Sequence, residues 1–270
     1  DDAVSLMSRY SDDVSPYAGG TELLLAMKMH FADYQHLVDL KRIPELRTII
    51  RRDDIVSLGA LATHAAIADD AIIAGAVPAL GALCSSIANA RVRTSGTIGG
   101  NLCFAEPRAD PPVLLAALDA QLVLKSARGE HHISASQFII GALETLRAPD
   151  ELLLRIEIPV TACNIRYERV VFGHRTIAGA AAAIPKDPAN KPRIWVGCIG
   201  THPTSLPTTE RYISTNPASL DDGLTHAIAT DIGTLDIVSD EDASADYRRH
   251  LAETVTRRAI TAAADKKGTP

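Results

Sequence analysis

Two short glycine-containing segments carry residue types that bind phosphate groups. The first is Tyr17-Ala18-Gly19-Gly20-Thr21-Glu22, which leads into a leucine-rich stretch predicted to be helical. Adjacent glycines let the backbone approach a ligand closely and turn successive N–H groups toward it, and a helix N-terminus adds positive potential. Thr21 offers a hydroxyl that can cap the helix or donate to a phosphate oxygen. The segment therefore predicts a phosphate-binding loop.

The second segment is Thr97-Ile98-Gly99-Gly100-Asn101, with Asp110 nine residues further on among prolines. Neither segment matches G-x-x-x-x-G-K-[ST] or G-x-G-x-x-G, which disfavours the P-loop and Rossmann folds. A single Gly-Gly step is more often a tight turn or a helix cap. Two such segments, each with hydroxyl or amide side chains, better fit a diphosphate gripped from two sides, although periodicity cannot show that they meet in space.

Composition excludes several classes of function. The chain has 270 residues, 46% of them hydrophobic and 22% charged, and a net charge of −6, without a basic block that would neutralise a nucleic-acid backbone. No apolar run approaches the roughly 20 residues that span a bilayer, so we expect neither nucleic acid nor a membrane span. A cytoplasmic location is the default expectation. Because the opening residues already have helical character, we also expect further residues before Asp1.

No metal site and no catalytic side chain is predicted. The four cysteines, Cys84, Cys103, Cys163 and Cys198, are dispersed and form no C-x-x-C pair, and the nine histidines lack metal-ligand spacing. His64 follows Thr63 at a predicted helix start, where a structural role is favoured over that of a catalytic base. Arg91 and Arg93 are candidates to offset phosphate charge, with surface solvation the favoured alternative.

Helical and strand patterns alternate along the chain. Helices are predicted over 22–29 and 78–90, the latter followed by a glycine-containing loop, and over 245–264, a surface helix with Arg248, Arg249, Arg257 and Arg258 off its apolar face. Strands are predicted over 35–40, 48–50, 55–58, 121–125, 131–134, 152–158, 166–171, 179–184 and 194–199. Pro159 ends one of these strands, which places a domain edge near residue 160. Residues 266–270 are predicted to be disordered.

Five strings in order resemble one known family. They are Ala18-Gly-Gly-Thr-Glu-Leu-Leu24, Leu37-Val-Asp-Leu40, Ile43-Pro-Glu-Leu46, Leu58-Gly-Ala-Leu-Ala-Thr-His64 and Thr97-Ile-Gly-Gly-Asn-Leu102. The sequence resembles the FAD-binding medium subunits of molybdenum hydroxylases, a family that includes carbon monoxide, xanthine and nicotine dehydrogenases. The match covers residues 1 to about 160, with a weaker likeness in the last helix.

The resemblance implies an α+β fold. It consists of a PCMH/vanillyl-alcohol-oxidase-type FAD-binding domain of two α+β subdomains over residues 1–160, followed by a smaller α/β C-terminal domain over 161–265. It also implies that FAD is held at its diphosphate by the two glycine segments, that Asp110 contacts the ribose or adenosine portion, and that Leu153 lies near the flavin. Ile98 is a candidate to pack against the ring, and Cys103 and Glu106 to line the flavin entrance.

The same resemblance implies that the chain relays electrons within a hetero-complex. A large molybdopterin-binding subunit would oxidise the substrate, and a small [2Fe–2S] subunit would pass the electrons to FAD in this chain, in a dimer of heterotrimers. Relatives often have the tripeptide Asp-aromatic-Ala after a Lys or Arg. Here Arg169 is retained, but Thr176-Ile177-Ala178 stands in place of the tripeptide. The cysteine-bearing insert for a [4Fe–4S] cluster is missing. The alternatives are a self-sufficient flavin oxidase or dehydrogenase and a flavin-free scaffold.

Overall fold

The computed structural model describes residues 1–217 and 220–265. Its elements, in chain order, are α1 (Asp2–Tyr10), β1 (Val14–Tyr17), α2 (Leu23–Lys28), β2 (His36–Asp39), β3 (Ile49–Arg52), β4 (Ile55–Gly59), α3 (His64–Asp69), α4 (Ala71–Ala76), α5 (Pro78–Ser85), α6 (Ala90–Ser95), α7 (Ile98–Phe104), α8 (Pro111–Ala117), β5 (Gln121–Ser126), β6 (Gly129–Ser134), α9 (Ala135–Phe138), β7 (Ile139–Gly141), β8 (Glu144–Thr145), β9 (Leu152–Pro159), β10 (Cys163–Phe172), β11 (Arg175–Pro185), β12 (Arg193–Gly197), β13 (Thr204–Ser205), α10 (Pro207–Thr215), α11 (Asp222–Gly233) and α12 (Ala245–Ala264). Mixed helix and sheet confirm the predicted α+β class.

The chain forms two compact units. The first combines Asp1–Glu106 with Ala120–Val160, and the second combines Pro107–Asp119 with the chain from Thr161 onward. The segment with Asp110 thus belongs to the second unit, although it lies before the predicted domain edge near residue 160. That edge stays a prediction, and the tail 266–270 lies outside the described residues.

The first unit contains two sheets that position the glycine segments. β1 and β2 pair in parallel beside α1, over a small core that includes Met7, Val14 and Val38. A five-stranded antiparallel sheet has the order β3-β4-β9-β5-β6. The strands predicted over 48–50 and 55–58 are confirmed as β3 and β4, which form a hairpin, and Asp53 in its turn has a positive φ of 51°. The first glycine segment therefore begins where β1 ends and stops where α2 begins.

The second unit is a four-stranded antiparallel sheet, β10-β11-β12-β13, with helices against it. Ala180 and Ala182 of β11 pack with α10, α11 and α12 in one apolar core. On β12, Gly197 leaves room for Val113 of α8, because a Cβ atom there would overlap the Val113 side chain. The alanine-rich run 179–183 is buried, because its small side chains let the helices pack closely against the sheet.

Predictions about the local structure of two regions, residues 78–101 and α12, are wrong. The stretch 94–101 is mostly not a loop: α6 ends at Ser95 and α7 begins at Ile98, because the Thr97 hydroxyl accepts a hydrogen bond from the Gly100 N–H and caps the new helix. The helix predicted over 78–90 likewise ends at Ser85, since Asn89 caps α6.

The second error concerns α12, whose bounds were predicted correctly. Arg248 is not on a solvated face but 2% exposed, and it donates to the carbonyl oxygens of Ile177 and Cys198 and to Asp240. Helical spacing shows which residues share a face, but not how far the neighbouring sheet covers that face. The buried guanidinium is stabilised by these acceptors.

Candidate cofactor site

The structure brings the two glycine segments of the first unit together. A Cβ atom on Gly19 would overlap the Ser95 carbonyl oxygen, and one on Gly96 would lie 3.5 Å from the Thr21 hydroxyl oxygen. Glycine at position 19 is therefore required by the close approach of two backbones. Segment 17–22 therefore packs against Ser95 and Gly96, the two residues that directly precede segment 97–101 in the chain.

Segment 17–22 presents backbone donors. Among the hydrogen bonds of the described residues, none engages the N–H groups of Gly19, Gly20 or Thr21. Gly20 adopts a positive φ of 74°, and its carbonyl accepts the N–H of Leu24 at 3.2 Å. All three residues are half-buried. Successive N–H groups left without protein acceptors in a concave turn form an anion-binding site.

Segment 97–101 contributes close backbone packing more than free hydrogen-bond donors. Four of its N–H groups already donate within the protein: Ile98 to Ala62 O at 3.0 Å, Gly99 to Ala60 O at 2.9 Å, Gly100 to the Thr97 hydroxyl and Asn101 to Thr97 O. A Cβ atom on Gly99 would lie 2.6 Å from both Cβ and O of Ala60, so this glycine lets the helix start pack directly on that backbone. Ile98 is fully buried, whereas Gly100 is exposed.

Asn101 contains an unsatisfied polar atom. Its Oδ1 is buried without a hydrogen-bond partner. Such an atom costs about 1–3 kcal/mol when it stays unpaired, so native proteins usually provide it with a partner. A bound molecule that carries hydroxyl groups would supply one. The N–H groups of segment 17–22 and this orphaned oxygen together fit a ligand with both phosphate and sugar-like groups.

Leu153 is buried in the first unit at an irregularity of the sheet. β9 and β5 change register between Val123 and Leu124, so that Leu124 lies opposite Leu153. The carbonyl of Leu154, the extra residue of this bulge, accepts the N–H of Ala60 at 2.9 Å. Bulges redirect side chains and are frequent beside functional sites.

Asp110 lies in the second unit within a polar cluster of that unit. The Tyr167 hydroxyl donates to its carboxylate at 2.6 Å, and Arg169 donates to its other oxygen and pairs with it. Burial, and then the neighbouring Cys198 and Asp110, raise the pKa of Tyr167 well above its usual value, so the phenol stays a donor. Sequence reasoning missed Tyr167. Its position two residues from Arg169, on the same face of one strand, was the available signal.

The other candidate residues have mainly structural contacts. His64 is 3% exposed, and burial lowers its pKa to about 4. Arg93 donates to the carbonyls of Ile87 and Ala88, whereas Arg91 is exposed. Burial raises the pKa of the Cys103 thiol, an effect that nearby Arg147 opposes. Glu106 is half-buried. Within the described ranges, no group of three or more His, Cys, Asp or Glu is arranged to hold a metal ion.

These features define a protein of mixed α+β fold with a dinucleotide-type cofactor site, and comparison with known proteins identifies the class. Residues 1–161 match the family described as the FAD binding domain in molybdopterin dehydrogenase. The chain belongs to this family. It is a medium, FAD-binding subunit of a molybdenum hydroxylase, which confirms the resemblance, the fold type and the oxidoreductase class.

Individual relatives are similar over nearly their whole length. Caffeine dehydrogenase subunit beta of Pseudomonas sp. (strain CBB1) is 30% identical over 98% of this chain and 92% of its own. The carbon monoxide dehydrogenase medium chain of Hydrogenophaga pseudoflava is 30% identical over 97% and 93%. Among solved structures, carbon monoxide dehydrogenase from Hydrogenophaga pseudoflava, lacking the Mo-pyranopterin moiety, superposes with a TM-score of 0.92 at 29% identity, over 97% of this chain and 93% of that one. Quinoline 2-oxidoreductase from Pseudomonas putida 86 gives 0.91 at 28% identity, over 97% and 93%.

Proposed function

We propose that this chain relays electrons within a molybdenum hydroxylase. It would receive them from [2Fe–2S] clusters of a small partner subunit, after oxidation of the substrate in a large molybdopterin-binding subunit, and deliver them to an external acceptor. The observation that carries the proposal is the single cradle formed by segments 17–22 and 97–101, with three backbone N–H groups that no described residue accepts. We propose that this cradle holds the FAD diphosphate.

The residues of this chain bind and orient the cofactor. Gly19, Gly20 and Thr21 would donate to the diphosphate oxygens, and Asn101 Oδ1 would accept from a hydroxyl of the cofactor. Bound FAD supplies the redox chemistry, since it can take up and release electrons. Asp110 is proposed to contact the ribose or adenosine portion, and Leu153 to lie near the flavin. No side chain is assigned as an acid or base toward the organic substrate.

Exposed apolar side chains support a place in a larger assembly. α2 has the sequence Leu-Leu-Leu-Ala-Met-Lys yet contains no buried residue, and Phe31 in the following turn is 80% exposed. Contiguous exposed apolar surface is uncommon on proteins that act alone. We propose large and small partner subunits in a dimer of heterotrimers. A cytoplasmic location stays a prediction; none of the described helices is long and apolar enough to cross a membrane.

The relay is tested in the assembled complex with and without flavin. After FAD is stripped, we expect the substrate still to bleach the iron–sulfur absorption of the partner, while reduction of an external acceptor stops; added FAD should restore it. Acceptor reduction that survives the loss of FAD contradicts the relay. Substrate oxidation by the isolated, FAD-loaded chain would instead support the self-sufficient oxidase, and failure of the chain to bind FAD would support the scaffold.

A further inference from the structure

The segment Ala60–His64 links the second glycine segment to the strand that carries Leu153. On one side, the Ala60 N–H donates to Leu154 O at 2.9 Å; on the other, Ala60 O accepts the Gly99 N–H at 2.9 Å. The pairing continues along the segment, because Ala62 O accepts the Ile98 N–H at 3.0 Å. This short stretch of backbone therefore sets the distance between two parts of the first unit.

His64 ends this segment beneath the place where the glycine segments meet. Its N–H donates to Gly96 O at 3.1 Å, and its side chain is 3% exposed. A Cβ atom on Gly96 would lie 3.3 Å from the His64 ring carbon Cδ2 and 3.5 Å from the Thr21 hydroxyl oxygen. The imidazole and Thr21 therefore both approach the position that a Gly96 side chain would occupy, and the absence of that side chain allows this.

The imidazole acts on its surroundings through shape. On the side away from the glycines, Nδ1 lies 3.9 Å from the Cys84 thiol sulfur. Burial lowers the pKa of His64 to about 4 and raises that of Cys84 to about 12, so both groups are uncharged at neutral pH. An uncharged ring adds no positive charge to attract a diphosphate. What it contributes is a flat, buried support under Gly96.

We propose that His64 is a positioning residue for the cofactor: its ring supports Gly96 and thereby holds Thr21 and the second glycine segment at the spacing that grips FAD. The inference rests on the proposed binding of FAD by these segments. Removal of the ring would leave a cavity under Gly96, into which the surrounding backbone would relax only in part. The donors of segment 17–22 would then lose their alignment.

The experiment compares variants of the full chain by flavin-fluorescence titration. We expect His64→Ala to weaken FAD binding at least about tenfold, and His64→Phe, which keeps a flat ring against Gly96, to stay within about threefold of the original chain. Ile73→Ala is the matched control, since Ile73 is fully buried in the same unit but packs against Gly81 of α5. The thermal midpoint of each FAD-free variant measures general destabilisation.

The outcomes separate positioning from mere stability. A tenfold loss in His64→Ala, with FAD binding retained in Ile73→Ala at a comparable drop in the FAD-free midpoint, supports the proposal. Equal losses in both variants, unchanged binding in His64→Ala, or a tenfold loss in folded His64→Phe overturns it. If His64→Ala does not fold, the FAD affinity of His64→Phe decides alone: a loss of less than about threefold supports the proposal, and a loss of about tenfold overturns it. Failure of the unmodified chain to bind FAD would overturn the proposed function instead.

Discussion

At the scale of single residues, the site depends on glycines, which have no side chain, as much as on residues with functional side chains. Gly19 and Gly99 allow backbone to pack directly on backbone, and Gly96 admits the His64 ring on one side and Thr21 on the other. None of these three glycines has a positive φ, so it is the close approach, and not an unusual backbone conformation, that requires them. Substitutions at these positions should therefore act through steric overlap.

Replacement of Gly19 by alanine should abolish FAD binding. The added methyl group would overlap the Ser95 carbonyl oxygen and force the two segments apart, at a cost of about 1–3 kcal/mol typical of overpacking. The measurement is a fluorescence titration with FAD, together with chemical unfolding of the FAD-free chain. Gly75→Ala in α4 is the control: no atom lies within 4 Å of its added methyl group, and we expect a gain of about 0.5–1 kcal/mol. Undiminished binding in Gly19→Ala would contradict the close approach.

Burial of His64 predicts a pH dependence of stability. Its pKa is lowered from 6.5 to about 4 in the folded chain, so the unfolded chain takes up the proton first as pH falls. The free energy of unfolding should decline between pH 6.5 and about 4, with His64 contributing about 3 kcal/mol of that loss. Urea unfolding at several pH values should show a shallower decline in His64→Phe. Parallel curves for the two proteins would show that the imidazole is not buried as described.

At the scale of elements, helix ends and helix faces decide where the chemistry lies. The Thr97 hydroxyl caps α7 inside the second glycine segment. It accepts the hydrogen bond of the Gly100 N–H, which is therefore not available to a ligand. α12 packs across β10 and β11 and brings Arg248 beneath the turn at Cys198. Cys198 has a positive φ of 64°, which ends β12 one residue earlier. A buried cation thus stabilises a strained turn next to Asp110.

Arg248→Met should destabilise the second unit strongly. The change removes the donor to the carbonyls of Ile177 and Cys198 and one of the two arginines that pair with Asp240, of which the other is Arg108. Each buried carbonyl left without a donor costs about 1–3 kcal/mol. Thermal and urea unfolding would measure the loss. The exposed Arg258, changed to alanine, should stay within about 0.5 kcal/mol of the original chain; similar effects from both substitutions would contradict the burial of Arg248.

At the scale of the whole molecule, cofactor binding and folding are linked. A ligand that binds only the folded chain stabilises it by about 2.7 kcal/mol at a hundred times its dissociation constant. Because the proposed cradle grips a diphosphate, the stabilisation should follow that group across a series of ligands. The ligands should stabilise the first unit, because it contains the two glycine segments.

FAD should therefore raise the thermal midpoint most, ADP should raise it less and compete with FAD, and FMN, which has a single phosphate, should have the weakest effect. Calorimetric scans of the chain with each ligand at equal concentration would measure the order. In Gly19→Ala all three shifts should disappear, whereas Gly75→Ala should keep them. A larger shift with FMN than with ADP would argue that the flavin, and not the diphosphate, directs binding.

Much of the local structure was open to prediction because it depends on neighbours in sequence. Short apolar runs bounded by turn residues located most of the strands, and the spacing of Leu251, Val255 and Ala259 gave α12 its correct bounds. The glycine pairs predicted phosphate binding because two such segments, each with hydroxyl or amide side chains, together fit a diphosphate. Five short strings in order were sufficient to indicate the family, which the match over residues 1–161 confirmed.

By itself, then, the sequence determined the two candidate segments for the cofactor, through residue types and short-range spacing. Through its resemblance to known medium subunits it also indicated the family and the α+β class. Only the tertiary structure decided that Gly19 meets Ser95, that the N–H groups of Ile98 and Gly99 donate to distant backbone, and that Arg248 and His64 are buried. It also decided that Asp110 joins Tyr167 and Arg169. These outcomes depend on residues that lie far away in the chain, and local propensity carries no information about which distant backbone will cover a side chain or accept its hydrogen bond.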